Sequence, residues 1–210
     1  MNPSPLLLML PLLLISMAGW SDEAPGGSNC LKGDWIGSDN LSVFPHWQQI
    51  LESIDRERES IRVCESDVDL CGSGRHVAWI AKMRSLEGLP LVVQLHEINA
   101  YINAGKSAPS VKSESGAGQL SIDGALGSAA LKYLMLNQAG FTQSDMAVTY
   151  LDDDLKGREV VAVSVMADEN CYLLFPETDL PMQTKQLIYF TPRFSVTETI
   201  YRVFVQNQEE

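Results

Sequence analysis

The sequence predicts an α+β fold, with N-terminal helices packed on one side of a C-terminal antiparallel β-sheet. Three observations carry this prediction. Apolar residues recur at helical spacing from Trp47 onward. After Gly140 the runs become short, β-branched and aromatic. Asp, Gly, Asn and Pro separate those runs, as they separate strands.

Taken in order, the chain opens on an export signal. Leu6 to Ile15 is apolar throughout, and Ser16-Met17-Ala18 supplies the small residues that a signal peptidase reads, so residues 1–18 are expected to be a signal peptide cut after Ala18. The apolar run is shorter than the roughly 20 residues that span a bilayer, and Pro11 interrupts it. Met1 to Pro5 lacks Lys and Arg, which leaves a retained N-terminal anchor as the alternative. No Cys follows the small residues, which argues against a bacterial lipid anchor. Residues 19–42 are rich in Gly, Ser, Asp and Asn and are expected to be an irregular lead-in to a single domain over 43–206.

Within that domain, Trp47, Ile50, Leu51, Ile54 and Ile61 share one helix face, and Pro45 suits a first helical turn. The charges from Asp55 to Glu59 read as a solvated face. Val77 to Leu86 is expected as a short helix stopped by Gly88. Leu91 to Asn103 is another, striped by Val92, Leu95, Ile98 and Ile102. Residues 105–118 have the Ser, Gly, Lys and Pro content of a long exposed loop. Ala125 to Gln138 is the most apolar helix, closed by Gly140. Strands are expected over Met146–Leu151, Glu159–Met166, Cys171–Phe175, Gln186–Phe190 and Thr199–Val205, with Val161 to Val165 apolar enough for a central position.

The net charge is −12, so the chain should repel nucleic acid and anionic membrane surfaces. Four cysteines in an exported chain favour disulfides. Cys64 and Cys71 are the preferred pair because they are close in sequence; that leaves Cys30 with Cys171. Zinc is the rival reading, but there is no Cys-x-x-Cys and no histidine at ligand-like spacing. No cofactor is expected: the chain has no Gly-rich phosphate loop and no dinucleotide fingerprint.

The order of motifs resembles the bacterial transglutaminase-like cysteine proteinases, whose best-known members are periplasmic proteases that clip surface adhesins. Trp47 opens the first helix, as a Trp does in that family. Cys64 and Cys71, followed by Trp79, look like a two-cysteine segment of many members. Ile98-Asn99-Ala100-Tyr101-Ile102-Asn103 is similar to the family's Val-Asn-x-x-Val-Asn helix. Asp123 to Tyr133 falls where the family has Gly-Asp-Cys-Glu-Asp-Tyr-Ala-x-x-Lys-Tyr, with Lys132 and Tyr133 at its end. The resemblance runs from about Phe44 to Val205 and implies a transglutaminase-like, papain-like fold.

The departures bear on activity. The family's nucleophile is a thiolate at a helix N-terminus, activated by the helix dipole and a His. By this resemblance its position is Ala125, the His position is near Val161, and the orienting Asp position is near Pro176. The acidic positions beside the nucleophile, which resemble a calcium site in family members, read Leu126 and Gly127. No other set replaces them clearly. His46, His76 and His96 all precede the helix of Ala125. Cys171 reads as a buried thiol or a disulfide, Ser128 lacks a Gly-x-Ser-x-Gly elbow, and Asp152-Asp153-Asp154 reads as an acidic turn rather than a calcium loop.

The expected function is therefore that of a periplasmic or secreted protein with an erased triad, acting by protein–protein binding. The resemblance implies a surface adhesin segment or a membrane receptor domain as partner, with no nucleic acid and no stable membrane insertion. Two alternatives stand beside it. One is an active periplasmic cysteine peptidase with relocated residues. The other is a small-molecule or glycan binder using the old cleft, lined by Trp79, Tyr101 and Tyr133.

Overall fold

Pro45 starts α1 (Pro45–Ser66) at the one helical position where its missing N–H costs nothing. The expected apolar face turns inward: Trp47, Ile54, Ile61 and Cys64 are buried. The indole N–H of Trp47 donates to the Thr197 carbonyl at 2.9 Å, which ties the helix to a turn 150 residues further on. The structure, a computed structural model, describes residues 30–71, 73–107 and 124–205; the expected signal segment and most of the 105–118 loop lie outside them.

A disulfide joins Cys64 in the last turns of α1 to Cys71, with the Cα atoms 4.4 Å apart. Next come α2 (Gly74–Leu86), three residues longer at its start than expected, and α3 (Leu91–Ser107), which extends into the stretch expected as loop. The fourth helix, α4 (Ala125–Gln138), has no polar stripe: every residue from Ser128 to Leu136 is buried. A helix apolar all round belongs at the centre of a fold. It ends in a Schellman turn, in which the Phe141 N–H reaches the Leu136 carbonyl at 3.1 Å past Gly140 at φ 99°.

The strands are β1 (Asp34–Ser38), β2 (Met146–Asp153), β3 (Arg158–Ala167), β4 (Asn170–Leu174), β5 (Met182–Gln183), β6 (Phe190–Val196) and β7 (Tyr201–Val205). They form one antiparallel sheet in the order β1-β7-β6-β2-β3-β4-β5, with α4 packed on β2 and β3. The protein is thus α+β, with four helices and a seven-stranded sheet among the described residues.

Two expectations fail here. Residues 19–42 are not all irregular: Asp34–Ser38 pairs with Val205–Tyr201 as an edge strand, so the domain begins well before residue 43 and the sheet is not purely C-terminal. Gln186–Phe190 is not a strand either. Thr184–Gln186 is a 3-10 turn, and the strand runs from Phe190 through Pro192 to Val196. Proline lacks the N–H of a ladder residue. It is tolerated in this internal strand because the pairing shifts there: Tyr150 faces Phe194, whereas Leu151 faces Pro192, leaving Arg193 bulged.

The two sheet faces carry separate cores. Val148, Val163, Val165 and Leu174 face the helices. Leu151, Val160, Ala162, Leu173 and Phe175 face the other way and meet Leu31 and the Cys30–Cys171 disulfide. That bridge requires curvature. From Cys30 to the start of β1 at Asp34, four residues reach at most about 14 Å. In a flat sheet β1 and β4, five spacings apart, would be about 24 Å from each other. The sheet therefore coils around this second core.

Candidate functional site

Helix α4 packs on β3, and the end of β4 pairs along β3. Gly124 precedes α4 at φ 90° and ψ 162°, backbone that a side chain disfavours. Ala125 is the first helical residue, half-buried, and offers only a methyl group where the amides of a helix N-terminus favour an anion. Val161 points to the same side as Val163 and Val165 and belongs to the helical core. Val163 pairs with Leu174. Continuing that register by two residues sets Val161 opposite Pro176, just past the end of β4. Ala125, Val161 and Pro176 thus occupy neighbouring elements, and none carries a titratable or nucleophilic atom.

The segment around Pro176 is held from behind by three polar side chains. The buried ammonium of Lys132 donates to the Phe175 carbonyl at 2.9 Å. The Asn103 amide donates to the carbonyl of Thr178 at 2.9 Å and to an Asp179 carboxylate oxygen at 3.1 Å. The Asn99 amide donates to the carbonyls of Thr178 and Asp179 at 2.7 and 3.0 Å. These carbonyls leave the ladder at the end of β4, and α3 and α4 supply their donors. Asn99→Ala should lower stability by about 1 kcal/mol, because the Asp179 carbonyl loses this donor and the Thr178 carbonyl keeps only Asn103. Urea unfolding measures this, and a loss under about 0.5 kcal/mol would show that water replaces the amide without cost.

The histidines lie elsewhere. His46 is exposed at the start of α1, and His96, half-buried on α3, is 3.6 Å from Glu97. His76 is buried, with Nε2 donating to Glu57 at 3.1 Å. Arg75 pairs with the same carboxylate. Glu57 is therefore not part of a solvated face, contrary to expectation: it is the buried anion between α1 and α2. Glu57→Ala removes the carboxylate that buried His76 and partly exposed Arg75 share and should cost about 1–3 kcal/mol, read as a fall in the urea midpoint; a change within about 0.5 kcal/mol would refute this role. Among the described residues no histidine hydrogen-bonds to Cys171, Ser128 or an aspartate.

The four cysteines form two disulfides, Cys64–Cys71 and Cys30–Cys171. The folded, oxidised chain therefore has no thiol. Ser128 is fully buried inside α4. Asp153 is buried at the end of β2, where its side chain accepts from the Lys156 N–H at 3.1 Å; the acidic run is not all turn, since Asp152 and Asp153 end the strand and only Asp154 enters the turn. Among the described residues no three His, Cys, Asp or Glu side chains cluster as cation ligands.

The expected aromatic cleft lining is corrected by burial. Tyr133 is 0% and Trp79 3% exposed. Trp79 donates to Gln138 at 2.5 Å and meets Tyr101 edge-on, while Tyr133 meets Trp47 edge-on. These rings fill the helical core, where Tyr101 and Tyr133 hold phenols raised above their usual range chiefly by burial. One aromatic pair that does reach the surface is Tyr150 and Phe194 on adjacent strands, stacked with centroids 4.1 Å apart. Sequence inspection misses it because the two residues are 44 positions apart and meet only through the pairing of β2 with β6.

No protein-family model matches the chain. No curated protein matches it either. Among solved structures it is similar to Legionella pneumophila LapG. EGTA-treated LapG superposes with a TM-score of 0.51 at 16% identity, over 73% of this chain and 87% of that one. A calcium-bound form gives 0.49 at 17% identity, over 65% and 83%. At such identity the likeness is one of fold alone.

Proposed function

We propose that this chain is a non-cleaving member of the transglutaminase-like cysteine-proteinase family, exported from the cytoplasm, that acts by holding a protein partner. The family reading rests on two independent supports: the ordered motifs from Trp47 to Tyr133, and the fold shared with LapG. The observation that carries the loss of activity is the chemistry at the α4 N-terminus. A methyl group stands where the resemblance places the nucleophile, and every cysteine of the chain is in a disulfide. Attack on an amide needs a thiolate or an activated hydroxyl beside a base. No such pair occurs among the described residues, which also weighs against an enzyme with relocated residues.

The family's calcium does not fit here. Leu126 and Gly127 stand at the positions where the resemblance places carboxylates, and neither side chain has an oxygen to offer a hard cation. Two disulfides favour an oxidising compartment, in keeping with the apolar N-terminal segment. The partner proposed is a surface adhesin segment or the receptor domain that active relatives bind, since removing three reactive side chains leaves the surrounding surface in place. Co-purification from the periplasm tests this: an adhesin segment or receptor domain held uncut at micromolar concentration is expected. If neither binds at that concentration, the proposed role is wrong.

A further inference from the structure

The strand register lays a continuous apolar row across the helix-facing side of the sheet. Ile36 pairs with Val203, Val203 with Phe194, Phe194 with Tyr150, and Tyr150 with Val161. Side chains directly opposite in an antiparallel ladder point to the same face. The row therefore runs from the β1 edge to Val161 and the position of Pro176. One pair inward, Tyr201, Val196 and Val148 lie under α1 and α4 as core. One pair outward the row is charged: Asp152 stands opposite Glu159. The apolar row is thus the margin between buried core and solvent.

Its outer half is open. Ile36 is 68% and Val203 44% exposed, although they face each other across two strands. Phe194 and Tyr150 continue the row as a half-buried stack, with Phe44 stacked on Phe194 from the helix side at 5.1 Å. From Ile36 to Tyr150 the row spans three strand spacings, about 15 Å. An extended peptide presents a side chain to one face about every 7 Å. Three alternate apolar side chains match that length.

The charge beside the row selects among such peptides. Arg193, raised by the bulge, lies 3.6 Å from both Asp152 and Glu159, so two carboxylates share one guanidinium. Glu159 also adds to burial in pushing the Tyr150 phenol up to about 12. The chain as a whole carries −12. A partner with Lys or Arg beside its apolar positions is favoured, and an acidic one is repelled.

We infer that the row from Ile36 to Tyr150 is a docking track for an extended segment of a partner protein, apolar at alternate positions and flanked by basic residues. This rests on the non-cleaving reading, because the track leads to Val161 and Pro176 and delivers a segment to a site that does not cut it.

Fluorescence anisotropy with labelled synthetic peptides tests the track. One peptide carries Val at three alternate positions with Ser between and Lys at both ends; a second has Glu ends. The full mature protein should bind the Lys-ended peptide at least about tenfold more tightly than the Glu-ended one. Ile36→Asp and Val203→Asp should each weaken binding at least about tenfold. Both side chains are exposed, so an unchanged thermal midpoint is expected and checks that the variants fold. Binding that either Asp variant leaves intact overturns the track, as does no binding of the Lys-ended peptide at about 1 mM. Sedimentation showing a dimer that Ile36→Asp dissolves would mean a second copy occupies the row, and also overturns it. If a larger client is held uncut with a grip that Ile36→Asp does not change, the track is wrong and the non-cleaving reading stands. If the bound peptide is cut and both Asp variants weaken its binding, the track stands and the non-cleaving reading is wrong.

Discussion

Replacing Cys30 and Cys171 together by serine is expected to lower stability by about 5 kcal/mol, through the loop-closure entropy of a bridge across 141 residues. The same change at Cys64 and Cys71, only seven residues apart, should cost about 2–3 kcal/mol. The long bridge does more than close a loop. It holds the segment before β1 against β4 and so maintains the coil of the sheet, and it leaves two hydroxyls in an apolar core if cut. Since domains of this size hold about 5–15 kcal/mol in total, the first variant should sit near its unfolding threshold and the second should not. Urea midpoints of the two serine pairs compare them directly. Equal losses would mean that β1 is held by its ladder to β7 alone and that the bridge is incidental.

Introducing Ala125→Cys is expected to create a thiol with a pKa below the ordinary value of about 8.5. The new sulfur would sit at the first turn of α4, whose amide dipoles favour the thiolate. Adding Val161→His should lower it further, provided the imidazole is charged. Val161 is buried, and burial alone disfavours the charged ring. Pro176→Asp, opposite in register, would supply the carboxylate that offsets this penalty. The triple variant should therefore react with iodoacetamide at pH 6 at least about tenfold faster than the single one. A rate profile against pH checks the sign: the thiolate fraction should persist to lower pH in the triple variant. Identical profiles would show that Ala125, Val161 and Pro176 are not within reach of one another, and the placement of the erased triad would fail.

What could be read in advance follows from how local each signal is. α4 and β3 are legible because Ala125–Gln138 and Val160–Val165 are apolar almost throughout, and burial on all sides leaves no competing pattern. β1 escaped because an edge strand need bury little: of Asp34-Trp35-Ile36-Gly37-Ser38, only Trp35 and Ser38 are even half-buried. β6 escaped because Pro192 argues against an internal strand, and only the bulge opposite Leu151 reconciles the two. Within the site, the identities of Ala125, Val161 and Pro176 came from the order of motifs. Asn99, Asn103 and Lys132 were visible as motif letters, but their task was not, since the carbonyls they hold lie 43 to 80 residues away. Glu57 looked like one more charge on a solvated run for the same reason: Arg75 and His76 reach it only once α2 folds back on α1.

The chain is proposed to hold polypeptide without cutting it. The most direct test is to incubate the oxidised full mature protein with a labelled adhesin segment and with generic labelled polypeptide, and to follow both binding and fragment size by mass spectrometry. The adhesin segment should be retained at micromolar protein and recovered at full length. Fragments whose appearance is abolished by replacing Ser128, or any one of the cysteines, in a variant that still folds would contradict the proposal.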